Sequence, residues 1–202
     1  MFVQIIRSRA MDPDAVRLVV NRWMRDLGPK ATGWLGSTGG VTDDGQLFVL
    51  VRFESAEAAR ANSDKPEQGL WWAEMEKLLD GQATFRDSTD VYAQAAGDPD
   101  SAGFVQVMMG QSSDPERSGQ LMTDTLPARR ALRPDILGSV IAGHGDGKFT
   151  MVIYFASEEA AREGERKEIP PELKESMTEM MALGVGMPEF LDLRRPWLDS
   201  PK

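Results

Sequence analysis

The chain has 202 residues, a formal net charge of −9 and no cysteine. The acidic excess repels phosphate backbones and anionic lipid, so we expect neither a nucleic-acid partner nor a membrane partner. Without cysteine the chain has no disulfide, no thiolate nucleophile and no thiolate metal ligand. No apolar run approaches the roughly 20 residues that span a bilayer, and the N-terminal run is too short for a signal peptide, which predicts a cytoplasmic protein.

The first part of the chain predicts the order strand, helix, strand, strand, helix, strand. Asp12 and Pro13 indicate a helix start, with the aspartate as N-cap and the proline at the first helical position. The turn residues 43–45 indicate a hairpin. The four strands are expected over residues 2–7, 32–38, 47–53 and 84–93.

The second helix is expected to begin at Ser55, a good N-cap residue. Residues 62–69 contain a proline and a glycine among polar side chains, which predicts a break in that helix. Helix is then expected to resume over residues 71–79. A polar segment between two rigid pieces could form the rim of a binding pocket, or simply a solvated kink.

Residues 47–60 return 102 positions later as residues 149–162, with six of the fourteen positions identical. Other segments repeat at the same spacing: Phe2-Val3-Gln4 as Phe104-Val105-Gln106, Asp12-Pro13 as Asp114-Pro115, and Leu35-Gly36-Ser37 as Leu137-Gly138-Ser139. The chain is therefore an internal duplication. We predict a first repeat over residues 1–95, a linker over 96–103 rich in small and acidic residues, and a second repeat over 104–202.

Each repeat has the βαββαβ order of a ferredoxin-like unit, so the predicted fold class is α+β. Two helices on one face of such a sheet leave the other face apolar and uncovered, and that face must be buried. The twin sheet is the available partner. We therefore expect one pseudo-dimeric α/β barrel, present in solution as a monomeric pseudo-dimer or a weak homodimer.

The repeated strand-to-helix junctions at residues 53–60 and 155–162 resemble those of the dimeric α/β-barrel superfamily, in its tandem form. The nearest branch is the antibiotic-biosynthesis-monooxygenase-like proteins. This resemblance implies a range of activities, from cofactor-free oxygenases on polycyclic aromatics to haem-degrading enzymes, isomerases, peroxidases and proteins without known activity. Haem-degrading members carry a histidine after a tryptophan on the second helix, and here none follows, because His144 is the one histidine. We therefore expect no haem and no other cofactor.

Six residues are candidates for binding a small-molecule ligand: Gln4, Trp34, Arg52, Asn62, Trp71 and Trp72. Gln4 is an amide inside an apolar strand, and the tryptophans could stack on a flat aromatic ring. Each has a structural alternative. Gln4 could be satisfied by the backbone, Trp71 and Trp72 could be packing residues, and Arg52 could form an ion pair with Asp87 or Glu54.

His144 lies among glycines in a turn, where a lone histidine is most simply an exposed residue. The glycines around it do not form a dinucleotide-binding motif, because a strand rather than a helix follows them. The aspartate pairs of the turns offer too few ligands for calcium, so we expect no metal site.

Two functions remain open. The first is a cofactor-independent monooxygenase-like enzyme on aromatic or phenolic substrates, in which an apolar pocket stabilises a substrate carbanion that reduces oxygen. The second is a non-catalytic ligand-binding or structural barrel. The sequence assigns no catalytic residue to either.

Overall fold

The computed structural model describes residues 1–201, which form two compact units. Unit 1 comprises residues 1–91 and the C-terminal segment that begins at Arg195. Unit 2 comprises residues 92–194. No helix within residues 1–201 is both long enough and apolar enough to cross a membrane.

The first half of the chain supplies five strands and three helices. They are β1 (Phe2–Arg9), α1 (Pro13–Asp26), β2 (Trp34–Val41), β3 (Gln46–Phe53), α2 (Ala56–Ser63), α3 (Pro66–Glu76), β4 (Thr84–Ser88) and β5 (Val91–Ala95). A short 3₁₀ helix (Gly28–Lys30) follows α1.

The second half follows a 3₁₀ helix (Pro99–Ser101) in the expected linker and repeats this order, with one further α-helix in the place of the 3₁₀ helix Gly28–Lys30. Its elements are β6 (Phe104–Gln111), α4 (Pro115–Asp124), α5 (Leu126–Leu132), β7 (Ile136–Gly143), β8 (Lys148–Phe155), α6 (Glu158–Glu165), α7 (Pro171–Ala182), β9 (Glu189–Leu193) and β10 (Trp197–Asp199).

Each unit contains a five-stranded sheet. The strand order is β10-β2-β3-β1-β4 in unit 1 and β5-β7-β8-β6-β9 in unit 2. The α+β, ferredoxin-like fold class is therefore confirmed. Closure of the two sheets into a barrel stays a prediction.

The last strand of the first repeat, β5, lies in the sheet of unit 2, and the last strand of the second repeat, β10, lies in the sheet of unit 1. The fourth strand expected over residues 84–93 is in fact two strands, because the chain bends after Ser88, whose hydroxyl bonds both the N–H and the C=O of Asp90. Before the bend, β4 pairs with β1, and after it β5 joins the sheet of unit 2. In the same way β10, at the end of the second repeat, pairs with β2 in unit 1.

The predicted helix starts are confirmed at their caps. The Asp12 carboxylate accepts hydrogen bonds from the backbone N–H groups of Asp14 at 3.1 Å and Ala15 at 3.0 Å. The Ser55 hydroxyl accepts from the N–H of Ala58 at 3.2 Å. These bonds satisfy donors that have no partner within the first turn of a helix.

The prediction of a polar break over residues 62–69 is wrong. Helix α2 continues to Ser63 and α3 begins at Pro66, so only residues 64 and 65 separate them. Pro66 does not end a helix but starts one, since its missing N–H is not needed at the first helical position. Gly69 lies inside α3, and its N–H donates to the carbonyl of Lys65 at 3.2 Å.

The core of unit 1 lies between one face of its sheet and the helices. One buried cluster is aromatic and includes Phe2, Trp23, Trp34 and Phe53. A second cluster is mainly aliphatic and contains Ala10, Val16, Val19, Leu47, Met75 and Leu79. The space between these two clusters holds the candidate site.

Candidate functional site

Unit 1 contains a cavity of about 320 Å³ between its sheet and the helices α1, α2 and α3. Gln4 and Ile6 alternate along β1, and Val49 and Val51 alternate along β3. Gln4 pairs with Val51 and Ile6 with Val49, so all four side chains share the sheet face that lines the cavity. Three of these four are aliphatic, which makes the floor of the cavity largely apolar.

Five aromatic side chains form a continuous series beside this floor. Successive ring centroids are 5.2 Å apart for Trp23 and Trp34, 6.4 Å for Trp23 and Trp71, 6.0 Å for Trp71 and Trp72, and 5.1 Å for Trp72 and Phe85. Trp23, Trp71, Trp72 and Phe85 line the cavity. Trp34 lies behind them and supports Trp23 edge to face at an interplanar angle of 72°.

Trp71 and Trp72 both reach the cavity although they are adjacent on α3. Neighbouring helical residues point about 100° apart, so the sequence alone favours one of them as a core residue. Each is half-buried. The indole N–H of Trp71 donates to the backbone carbonyl of Val19 on α1 at 2.9 Å, which fixes that ring against the first helix.

A cluster of polar side chains lies at the helical end of the cavity. The indole N–H of Trp23 donates to Gln68 Oε1 at 2.7 Å, and Asn62 Nδ2 lies 3.5 Å from the same oxygen. Because an indole N–H can only donate, Gln68 must turn its oxygen toward Trp23 and its NH₂ group elsewhere. Asn62 is 6% exposed, so a second amide lies buried beside Gln68 at this end of the cavity.

Gln4 lies on the cavity floor with its amide held by a neighbour. Its Nε2 donates to Asp87 Oδ1 on β4 at 3.0 Å. The matched pair in unit 2, Gln106 and Asp192, has the same bond at 3.0 Å. The partner of Gln4 is therefore a side chain and not the backbone that the sequence-based alternative considered, and in both repeats this bond ties an edge strand to its neighbour.

Arg52 lies on the opposite face of the sheet and does not line the cavity. It pairs with Val3, whereas Asp87 pairs with Gln4, so Arg52 and Asp87 point to opposite sides and cannot form the ion pair considered from sequence. Arg52 is half-buried, and its Nε has no hydrogen-bond partner.

The C-terminal strand brings a carboxylate to the cavity, and the sequence analysis did not find it. Asp199 on β10 pairs with Ser37 on β2, so both side chains lie on the cavity face. Arg17 of α1 lies 3.4 Å from Asp199 Oδ2 and stacks over the ring of Trp197 at 5.3 Å. Among the described residues that line the cavity, Asp199 is the one ionisable side chain.

The corresponding region of unit 2 is occupied by charged side chains. The guanidinium of Arg162 on α6 lies over the ring of Phe104 at 5.2 Å. It forms ion pairs with Asp192 and with Glu158. A hydrogen bond from Arg194 lowers the pKa of the Glu158 carboxyl. This network differs from the apolar floor of the cavity in unit 1.

His144 is half-buried, so its expected position as an exposed turn residue is wrong. Its Nε2 lies 2.9 Å from the hydroxyl of Thr150, across the hairpin between β7 and β8. Within residues 1–201, no group of three or more histidine, aspartate or glutamate side chains is placed to hold a metal ion.

Three solved structures match the chain over nearly its whole length. A candidate monooxygenase from Lactobacillus acidophilus NCFM is 13% identical, with 98% of each chain covered and a TM-score of 0.72. One from Fusobacterium nucleatum is 9% identical and matches with a TM-score of 0.77, over 98% of this chain and 94% of that chain. An anthrone oxidase-like protein is 10% identical, with a TM-score of 0.64 over 100% of this chain and 91% of that chain.

This chain has the tandem ferredoxin-like fold of these structures. The resemblance drawn from the repeated junctions is confirmed at the level of the fold, which is what a likeness at such low identity shows. Neither the protein-family models nor the curated proteins compared with the sequence give a match. A ferredoxin-like fold hosts many different activities, so the function has to be argued from the cavity.

Proposed function

We propose that the cavity of unit 1 binds a flat aromatic small molecule and that the protein is a cofactor-independent monooxygenase-like enzyme acting on phenolic compounds. The observation that carries this proposal is a cavity of about 320 Å³ walled by three tryptophans and two phenylalanines. Ligand pockets typically range from about 300 to 1,000 Å³, so this one suits two or three fused rings.

The arrangement of side chains supports a ring system with a polar edge. Aliphatic residues of β1 and β3 would contact one face of the rings, and Trp71 and Trp72 would stack against the other. Gln68 turns its NH₂ group away from Trp23, and that group could donate a hydrogen bond to a ligand carbonyl.

The reaction proposed for this pocket is oxidation of a methylene group that is conjugated with a ketone through the flanking aromatic rings, as in an anthrone. Transfer of a proton to solvent gives an enolate, which passes one electron to O₂. The resulting radical pair combines to a peroxide anion, which takes a proton back from solvent. The peroxide then loses water to leave a second ketone. The balance is one substrate and one O₂ to one diketone and one H₂O, with all electrons supplied by the substrate. The amide donors near the carbonyl would stabilise the enolate.

The experiment is to add anthrone to the purified full-length protein and follow oxygen uptake together with quinone absorbance. Heat-denatured protein and an Ala59→Phe variant, which fills the cavity wall, are the controls. The proposal predicts uptake above both controls, with one quinone formed for each O₂ consumed.

The alternative is a non-catalytic ligand-binding or structural barrel. One observation favours it, since the single carboxylate of the cavity wall already has a cationic neighbour in Arg17. Anthrone that binds without oxygen uptake would indicate a binding protein. Failure of any neutral aromatic compound to bind would contradict both the enzyme and the ligand-binding proposal. In either case we propose a monomeric pseudo-dimer or weak homodimer that acts without nucleic acid.

A further inference from the structure

The cavity has an acidic end that depends on the exchanged C-terminal strand. Strand β10 has only three residues, Trp197–Asp199, and it pairs with β2 at Gly39, Thr38 and Ser37. Directly opposed residues of an antiparallel pair share one sheet face, with Cβ atoms about 5 Å apart. Asp199 and Ser37 therefore stand side by side at this end of the cavity.

Strand β10 is held in place from two sides. On the sheet side, Gly39 has no side chain, and a Cβ there would lie 3.4 Å from the ring of Trp197. On the helix side, the guanidinium of Arg17 stacks over Trp197 and reaches Asp199. The side chain of Asp199 is 17% exposed, so its position is set by packing rather than by solvent.

The Asp199 carboxylate is only partly satisfied by these neighbours. Its distance of 3.4 Å to Arg17 Nη1 is longer than the 2.7–2.9 Å usual for a charge-assisted bond. Only Oδ2 takes part in that contact. A carboxylate can accept several hydrogen bonds, and within residues 1–201 no donor contacts Oδ1.

We propose that Asp199 makes the cavity selective: it favours aromatic ligands that present a hydroxyl or N–H donor at this end and rejects those that present a carboxylate there. The inference rests on one part of the proposed function, the binding of aromatic molecules in the cavity, and does not require that they react. Asp199 is a specificity-determining residue in this scheme.

The selectivity follows from charge in a poorly solvated space. A ligand hydroxyl would donate to Oδ1 in a charge-assisted bond, which is stronger than a neutral one. A ligand carboxylate in the same place would face a like charge and would lose its hydration in an apolar cavity. Arg17 offsets this repulsion only in part, because its distance is long and it already contacts Asp199.

The test measures two matched ligands, 2-naphthol and 2-naphthoate, by isothermal titration calorimetry with the full-length protein at neutral pH. We expect the wild type to bind the naphthol at least about tenfold more tightly than the naphthoate. Asp199→Asn removes the charge but keeps an acceptor, so this preference should shrink by about tenfold, mainly through tighter naphthoate binding. Asp80→Asn, which changes an exposed carboxylate of the same unit outside the cavity, should leave the preference unchanged.

Arg17→Met provides a second variant whose effect has the opposite sign. It leaves Asp199 charged and removes the neighbouring cation, so the preference for the naphthol should grow. Equal binding of the two ligands to the wild type would overturn the inference, and so would a preference that is unchanged in both variants. In those cases the binding of naphthol would still support the proposal that the cavity binds aromatic molecules. If neither 2-naphthol nor 2-naphthoate binds, the proposed function fails and this inference fails with it.

Discussion

Replacing Gly36 with alanine should loosen the attachment of the C-terminal strand to unit 1. Gly36 lies on β2 with φ of +129°, a conformation that side chains rarely adopt. A Cβ built there would lie 2.5 Å from Nη2 of Arg52 and 2.9 Å from the backbone oxygen of Asp199. The arginine could move away, but the backbone of β10 can do so only by shifting the strand.

The expected cost has two parts. A side chain in a sparsely populated backbone region costs about 1–3 kcal/mol. Forcing an extra carbon into a packed site costs about another 1–3 kcal/mol. Each kcal/mol lowers the melting temperature of a chain of this size by about 2–4 °C.

Substitutions at two other glycines distinguish the backbone cost from the packing cost. Gly81 has φ of +85° and nothing within 4 Å of its Cβ position, so Gly81→Ala should show the backbone cost alone. Gly69 lies in α3 with the same open space and no positive φ, so Gly69→Ala should be neutral or stabilising by about 0.5–1 kcal/mol. Urea denaturation followed by circular dichroism gives the three free energies of unfolding. If Gly36→Ala costs no more than Gly81→Ala, β10 does not pack against Gly36 as described.

The remaining predictions concern a cap, the cavity wall and an ion pair. Asp114→Ala should cost about 1 kcal/mol in urea denaturation, because the carboxylate accepts from the N–H of Arg117 at 2.9 Å; an unchanged midpoint would contradict this capping role. Ala59→Phe should abolish the binding of 2-naphthol in calorimetry, since Ala59 lines the cavity; a retained affinity would place the ligand elsewhere. The hydrogen bond from Arg117 lowers the pKa of Glu179, so its stabilisation should be full above the unfolded pKa and lost as pH falls through the folded value. A Glu179→Gln variant should therefore be less stable than the wild type at neutral pH and approach it in acid, and a difference independent of pH would refute the assignment.

Much of the fold could be predicted from the sequence because the duplication supplies two copies of each local signal. The caps at Asp12 and Ser55 depend on residues close in the chain, so their patterns are readable without tertiary information. The long break predicted around Pro66 is wrong because the local sequence there fits two structures. Proline is compatible with either the end or the start of a helix, and only the packing of α3 decides between them.

The candidate site was harder to predict, since its residues are brought together by pairing across the chain. Alternation along β3 could have placed Arg52 on the opposite face from Val49 and Val51, and that signal was available in the sequence. Asp199 had no such signal, because it reaches Ser37 through a strand exchanged between the repeats.

The two repeats also show why one site need not imply a second. Arg60 and Arg162 occupy matched positions, yet Arg60 is exposed while Arg162 lies over Phe104. In unit 2 Arg162 is paired with Glu158 and Glu165, whose mates in unit 1 are the uncharged residues Ala56 and Ser63. Without these carboxylates, an arginine gains less by leaving water than its desolvation costs. The loss of both carboxylates from α2 therefore favours an Arg60 that faces solvent and leaves the cavity wall without an arginine.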